Sequence, residues 1–99
     1  RTSRSFQVLG NRIRYRSWLT DKTVEIRGLS AVTCQTDASP GSDQAITRHF
    51  LSFWSGESVM LSFDVSLWPH QGLSFLVRRV QEGNPQVRLD RDVEQYFAQ

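Results

Sequence analysis

Arginines near the start of the chain are the side chains best suited to binding chemistry. Arg12, Arg14 and Arg16 occupy every second position, so one face of an extended strand would carry all three guanidinium groups. Arginine binds phosphate and guanine edges through paired, planar hydrogen bonds. Trp18 continues the alternation and could stack on a ring. The pattern predicts a face that binds phosphate or nucleotide, but it is equally typical of a solvated edge strand, where charge discourages aggregation.

The charge is unevenly distributed along the chain. Residues 1–36 contain seven cationic residues and two carboxylates, whereas residues 37–99 contain five and eight, within a net charge of +2. Eleven of the twelve cationic residues are arginine, and Lys22 is the exception. This asymmetry predicts that the N-terminal end attracts anions. The small net charge disfavours nucleic acid as a partner without excluding it.

Other kinds of chemistry find little support in the sequence. The single cysteine, Cys34, excludes a disulfide framework and indicates a cytoplasmic protein. It follows an apolar run and is predicted to be a small buried hydrophobe. His49 and His70 lack the spacing of a metal site, and no phosphate loop or catalytic carboxylate pair is present. We therefore predict no enzyme activity, no metal and no cofactor.

The length predicts one domain spanning residues 1–99. No apolar run approaches the roughly 18 to 20 residues of a membrane-spanning helix. Because the chain opens on Arg1 and not on Met, we expect either that a leading segment was removed or that this is a domain excised from a larger protein, with the cytoplasmic part of a membrane-associated protein among the alternatives.

Alternating apolar residues and turn residues predict strands over most of the chain. The first half is divided into strands at Phe6–Leu9, Arg12–Trp18, Thr23–Arg27 and Ala31–Thr36, with turns at Gly10–Asn11 and Leu19–Lys22, a kink at Gly28 and a loop at Asp37–Asp43. Residues Glu57–Leu89 read as a three-stranded meander. Its first strand points Val59, Leu61, Phe63 and Val65 into the core, its second is Leu73–Val80 after a turn at Trp68–Gly72, and its third is Gln86–Leu89.

Two segments favour helices. Within Gln44–Ser55, apolar residues at helical spacing favour a helix or helical turn, although Phe50–Trp54 would also suit a strand. At the C-terminus, Asp90 is placed to cap a short helix, with Val93, Tyr96 and Phe97 on its apolar face. The whole chain is predicted to be a mostly β protein, a small antiparallel barrel of about six strands with a C-terminal helix.

The order of these features resembles a divergent PilZ domain, a bacterial module that binds cyclic di-GMP. The resemblance is carried best by Gly56–Leu89, where a Gly-x-x-Val-x-Leu-x-Phe strand precedes a run ending Val-Arg-Arg-Val. Ligand-binding members carry an Arg-x-x-x-Arg arm and an Asp/Asn-x-Ser-x-x-Gly motif. Here the arm would be Arg1 to Arg4, one residue short, or Arg12 to Arg16, which has the right spacing but lies very close to the second motif. The second motif would fall on Thr23 to Gly28, where only Gly28 matches. Glu25 stands in the place of the serine.

The resemblance implies a non-enzymatic regulatory module of bacterial signalling. If cyclic di-GMP binds, the implied ligand-binding residues are Arg1, Arg4, Arg12, Arg14, Arg16, Glu25 and Gly28. If the degenerate motifs prevent binding, the resemblance implies a protein-interaction domain. From the residues alone, binding of single-stranded nucleic acid stays open as an alternative, with Trp18, Trp54 and Trp68 as stacking candidates.

Overall fold

The computed structural model of the chain describes residues 5–38 and 47–97. The strands are β1 Ser5–Leu9, β2 Arg12–Arg16, β3 Asp21–Glu25, β4 Ala31–Ala38, β5 Thr47–Ser55, β6 Ser58–Asp64 and β7 Arg88–Leu89; the helices are α1 His70–Gly83 and α2 Arg91–Tyr96, with a 3₁₀ turn at Ile26–Gly28. Strands dominate, as expected. In the described residues they form two open sheets, ordered β1-β2-β3 and β6-β5-β4-β7, and no closed barrel.

Two tight hairpins build the first sheet. Gly10 and Asn11 connect β1 to β2 as predicted, and Gly10 takes a φ of 64°, which a type II′ hairpin turn places at its first loop residue. The second turn is shifted from its predicted place at Leu19–Lys22. Ser17 and Thr20 close it through reciprocal backbone hydrogen bonds, with N···O distances of 2.7 and 3.4 Å, so Trp18 lies in the turn rather than on β2.

The segment from Gln44 contains a strand and not the favoured helix, and residues 44–46 lie outside the described part. Thr47–Ser55 forms β5, which pairs with β4 on one side and β6 on the other. Leu51, Ser52 and Phe53 are buried in succession, so both faces of this part of β5 are shielded from solvent. Such a strand shows a continuous apolar run instead of alternation, and this run imitated a helical stripe.

Leu73–Val80 was predicted as the second meander strand and is instead the middle of α1. Leu73, Leu76, Val77 and Val80 are completely buried. Their spacing of three and four residues places them on one helical face, which packs on the core. Pro69 stands at the N-cap with a φ of −60° and a ψ of 137°, the extended conformation that is typical of this position. The Trp68–Gly72 segment therefore begins a helix and does not connect two strands.

Phe63 on β6 is the centre of an aromatic cluster formed by Phe6, Tyr15, Phe53, Phe63 and Trp68. The ring of Phe63 lies 5.3 to 5.8 Å, centroid to centroid, from each of the other four rings. Leu61 is also buried and Val65 partly so, as predicted for this face. The prediction for Val59 was wrong, because Val59 lies beyond a register shift in the β5–β6 pairing and is 43% exposed.

The C-terminal segment is anchored through Asp90. One carboxylate oxygen accepts a hydrogen bond from the Val93 backbone N–H and the other from the Cys34 N–H, both at 2.9 Å. The predicted capped helix is confirmed, with Val93 and Phe97 buried but Tyr96 exposed. The predicted last strand shrinks to β7, which runs parallel to β4 and so belongs to no meander.

Asn84 ties the end of α1 to the 3₁₀ turn. Its side-chain amide donates to the carbonyl oxygens of Ile26 at 3.1 Å and Leu29 at 2.7 Å.

Replacing Asn84 by aspartate keeps the shape of the side chain but replaces the amide donor by an acceptor that faces two carbonyl oxygens. We expect a loss of about 1 to 3 kcal/mol in the free energy of unfolding, measured by urea denaturation. Gln86→Glu, an equivalent change at an exposed site, is the control, and equal midpoints for the two variants would contradict this role.

Candidate anion-binding site

The predicted alternation on β2 is realised as one outward face of the first sheet, which we call the arginine face. The pairing register aligns three residues from each strand. They are Ser5, Gln7 and Leu9 on β1, Arg12, Arg14 and Arg16 on β2, and Asp21, Thr23 and Glu25 on β3. The intervening residues Ile13 and Val24 are buried. Packing of the opposite side against the core therefore fixes the three guanidinium groups outward.

Carboxylates of β3 hold two of the three arginines. Arg14 donates to both oxygens of Asp21, from Nε at 3.1 Å and from a terminal nitrogen at 2.9 Å. This hydrogen bonding lowers the pKa of Asp21, with a smaller contribution from the charges of Arg14 and Arg16, and it raises the pKa of Arg14. The contact between Arg12 and Glu25 is looser, at 3.7 Å. Asp21 is thus firmly ionised at neutral pH and occupies the planar edge of Arg14.

An open depression of about 800 Å³ lies along this face. Its lining residues are Leu9, Asn11, Arg12, Arg14, Asp21, Thr23, Glu25 and Arg27. Arg27, from the 3₁₀ turn, adds a third cation to the lining and was not among the predicted site residues. Its place beyond the end of β3 makes it a neighbour of Arg12 only once the β2–β3 register is known.

The other predicted site residues are only partly brought together. Arg1 and Arg4 lie outside the described residues. Glu25 does share the face with the arginines, and Arg12 partly neutralises it. Gly28 belongs to the 3₁₀ turn and has open space around the position of a Cβ atom. The face therefore assembles four of the seven predicted residues, all of them on adjacent strands.

Two of the three tryptophans serve the fold. Trp54 is half-buried and donates from Nε1 to the Thr33 hydroxyl at 2.9 Å. Trp68 is half-buried in the aromatic cluster, where its ring lies 5.3 Å from that of Phe63. Trp18 is 70% exposed. Of the three stacking candidates for a nucleic acid, only Trp18 presents most of its ring to solvent.

Cys34 and His70 have side chains that can act in catalysis or bind a metal, and both lie outside the arginine face. Burial raises the pKa of the half-buried Cys34 thiol, and the nearby charges of Asp90 and Asp92 raise it further, so the thiol is a poor nucleophile at neutral pH. The His70 ring stacks on Phe97 with centroids 5.1 Å apart. Within residues 5–38 and 47–97, no cluster of metal-ligating side chains occurs, and no helix is long and apolar enough to cross a membrane.

Comparison of the chain with protein-family models, curated proteins and solved structures finds no significant match.

Proposed function

We propose that this chain is a non-enzymatic module that binds a phosphate-bearing nucleotide on the arginine face. The observation that carries this proposal is the alignment of Arg12, Arg14 and Arg16 along one strand, beside an open depression lined by Arg12, Arg14 and Arg27. Cyclic di-GMP is the nucleotide that the resemblance to PilZ domains implies, and its two phosphates and guanine edges suit several guanidinium groups.

Binding would require an exchange of partners at Arg14. Asp21 holds the planar edge through which Arg14 would grip a phosphate. Both side chains are substantially exposed, at 38% and 51%, so the ion pair is screened by water and readily replaced. An incoming phosphate takes the place of the carboxylate, and Asp21 then faces solvent. Asp21 thereby acts as a built-in competitor that weakens binding and selects for ligands with high charge density.

Removing the competitor is expected to strengthen nucleotide binding. In Asp21→Asn the carboxylate charge is lost while the side-chain shape is kept, so Arg14 is available to the ligand. We expect the affinity for cyclic di-GMP, measured by isothermal titration calorimetry, to rise about fivefold to tenfold. In Arg14→Gln we expect it to fall roughly tenfold to a hundredfold, because a charge-assisted contact is lost.

Arg78→Gln is the matched control, since Arg78 is an exposed arginine on α1 with the same loss of charge. The control should bind like the parent chain. If the folded parent and Asp21→Asn both show no heat with cyclic di-GMP up to about a millimolar, this function is wrong. Equal losses in Arg14→Gln and Arg78→Gln would indicate only a general effect of net charge.

A further inference from the structure

The turn between β2 and β3 has an unusual composition. Ser17 and Thr20 bond to each other through their backbones, and the Ser17 hydroxyl also accepts from the Thr20 N–H at 3.1 Å. Trp18 and Leu19 are thus the two residues of the loop, and we call them the tip. Two-residue hairpin loops favour Gly, Asn and Asp, which tolerate positive φ. No non-glycine residue of the described chain has a positive φ, so Trp18 and Leu19 both have ordinary backbone conformations. The turn therefore does not require a tryptophan or a leucine at either position.

The tip exposes more apolar surface than its place in the fold requires. Trp18 is 70% exposed and Leu19 is 75% exposed. The hydrogen bonds that close the turn come from Ser17 and Thr20, so small polar residues could form it equally well. Residues that break a local rule without a structural gain are candidates for function.

Cations stand directly behind the tip. Arg16 and Lys22 are both exposed and lie two and three residues from the apolar pair. Arg16 and Trp18 also line a small depression of about 410 Å³ with Ser5 and Ser17. The one carboxylate at this end of the hairpin, Asp21, is engaged by Arg14. The hairpin therefore ends in two apolar side chains with two cations just behind them. We call Arg16 and Lys22 the collar.

We propose that the tip inserts into the surface of a membrane that contains anionic lipids. At about 3.3 Å per residue, the cations lie roughly 7 to 10 Å behind the apolar side chains. That separation matches the depth to which interfacial segments bury their apolar residues, about 5 to 10 Å below the headgroups. Tryptophan is enriched at the interface between membrane and water, and the two cations of the collar would contact lipid phosphates.

A lipid surface fits the tip better than a protein partner does. A specific protein interface needs about 1,000 Å² or more of buried area with complementary shape, whereas the tip is convex and offers two apolar side chains. A membrane supplies an apolar layer beneath anionic groups and needs no complementary pocket. This inference goes beyond nucleotide binding, and of its four residues only Arg16 also belongs to the arginine face.

Co-sedimentation with lipid vesicles tests this inference. We expect the whole chain to bind vesicles of phosphatidylcholine with about a third phosphatidylglycerol, and to bind pure phosphatidylcholine far more weakly. The double variant Trp18→Ser with Leu19→Ser should lose roughly a hundredfold in partitioning, about tenfold for each apolar side chain. Arg16→Gln with Lys22→Gln should lose roughly tenfold or more on the anionic vesicles, because each cation near the surface contributes about fivefold.

Leu67→Ser is the matched control, because Leu67 is 60% exposed in the connection between β6 and α1 and belongs neither to the tip nor to the cations behind it. It should partition like the parent. Unchanged denaturation midpoints would show that the tip variants remain folded. The inference is overturned if the parent chain does not sediment with anionic vesicles, or if the tip variant sediments equally well. It is also overturned if the tip variant instead abolishes self-association in sedimentation velocity, which would make the tip a protein contact. Cyclic di-GMP titration of the tip variant reads the arginine face separately.

Discussion

Phe63→Ala is expected to bring the domain close to unfolding at room temperature. The ring of Phe63 is 1% exposed and contacts four other aromatic rings that come from both sheets and from the loop before α1. Removing it leaves a cavity and abolishes the four edge-to-face contacts that the neighbouring rings make with it. We expect a loss of about 3 to 5 kcal/mol, which is a large part of the 5 to 15 kcal/mol typical of a small domain.

Val59→Ala is the control on the same strand. Val59 shares the alternation of Phe63 in the sequence, but it is 43% exposed, so its loss should cost well under 1 kcal/mol. Urea denaturation followed by circular dichroism gives both values. Equal midpoints for the two variants would mean that the strand does not bury Phe63 at the centre of the aromatic cluster.

Ending the chain after Leu89 is expected to have the second large effect. The deletion removes Val93 and Phe97, both buried, and the Asp90 carboxylate that joins β4 to α2. Loss of the two apolar side chains alone should cost roughly 3 to 6 kcal/mol. The Cys34 N–H would also lose its acceptor, and the apolar surface beneath α2 would be exposed. We expect a lower melting temperature and aggregation in size-exclusion chromatography.

Asp90→Ala and Tyr96→Ala separate the parts of this effect. Asp90→Ala should lose about 1 to 3 kcal/mol, from the helix cap and from the unpaired Cys34 N–H. Tyr96 is 63% exposed, so Tyr96→Ala should leave the melting temperature nearly unchanged. A truncated chain that stays monomeric and melts with the parent would show that α2 is not docked.

Features encoded by neighbouring residues were predictable from the sequence. The Gly10–Asn11 turn, the alternation of Arg12 to Arg16 and the Asp90 cap depend on local geometry, and all three occur in the structure. The strand and helix assignments failed for segments whose apolar residues fit two periods. In Leu73–Val80 the buried positions follow the helical period, and only packing against the sheets decides between the alternatives.

The barrel prediction failed because strand number does not determine which strands pair. The Val-Arg-Arg-Val run, part of the resemblance to PilZ domains, lies in α1, so an element expected to extend a barrel covers the core instead. Membership of that family stays a prediction. The segment's strand β6 was predicted correctly, but its continuation was not.

Part of the candidate site was visible in the sequence. The alternation placed Arg12, Arg14 and Arg16 on one face, because a single strand suffices to define it. The engagement of Arg14 by Asp21, and the approach of Arg27, depend on the register between β2 and β3. That register follows from a turn at Trp18 and Leu19, where the sequence offered no usual turn residue, and a turn placed later would have paired the strands differently.

Mapping the ligand by NMR is the most direct test of the proposed nucleotide site. ¹H–¹⁵N spectra of the parent chain and of Asp21→Asn would be recorded as cyclic di-GMP is added. We expect the amide signals that shift most to come from Arg12–Arg16 and from Asp21–Arg27, with larger shifts at equal ligand in the variant. Shifts confined to the second sheet or to α1, or no shifts in either protein at about a millimolar ligand, would contradict an anion-binding role for the arginine face.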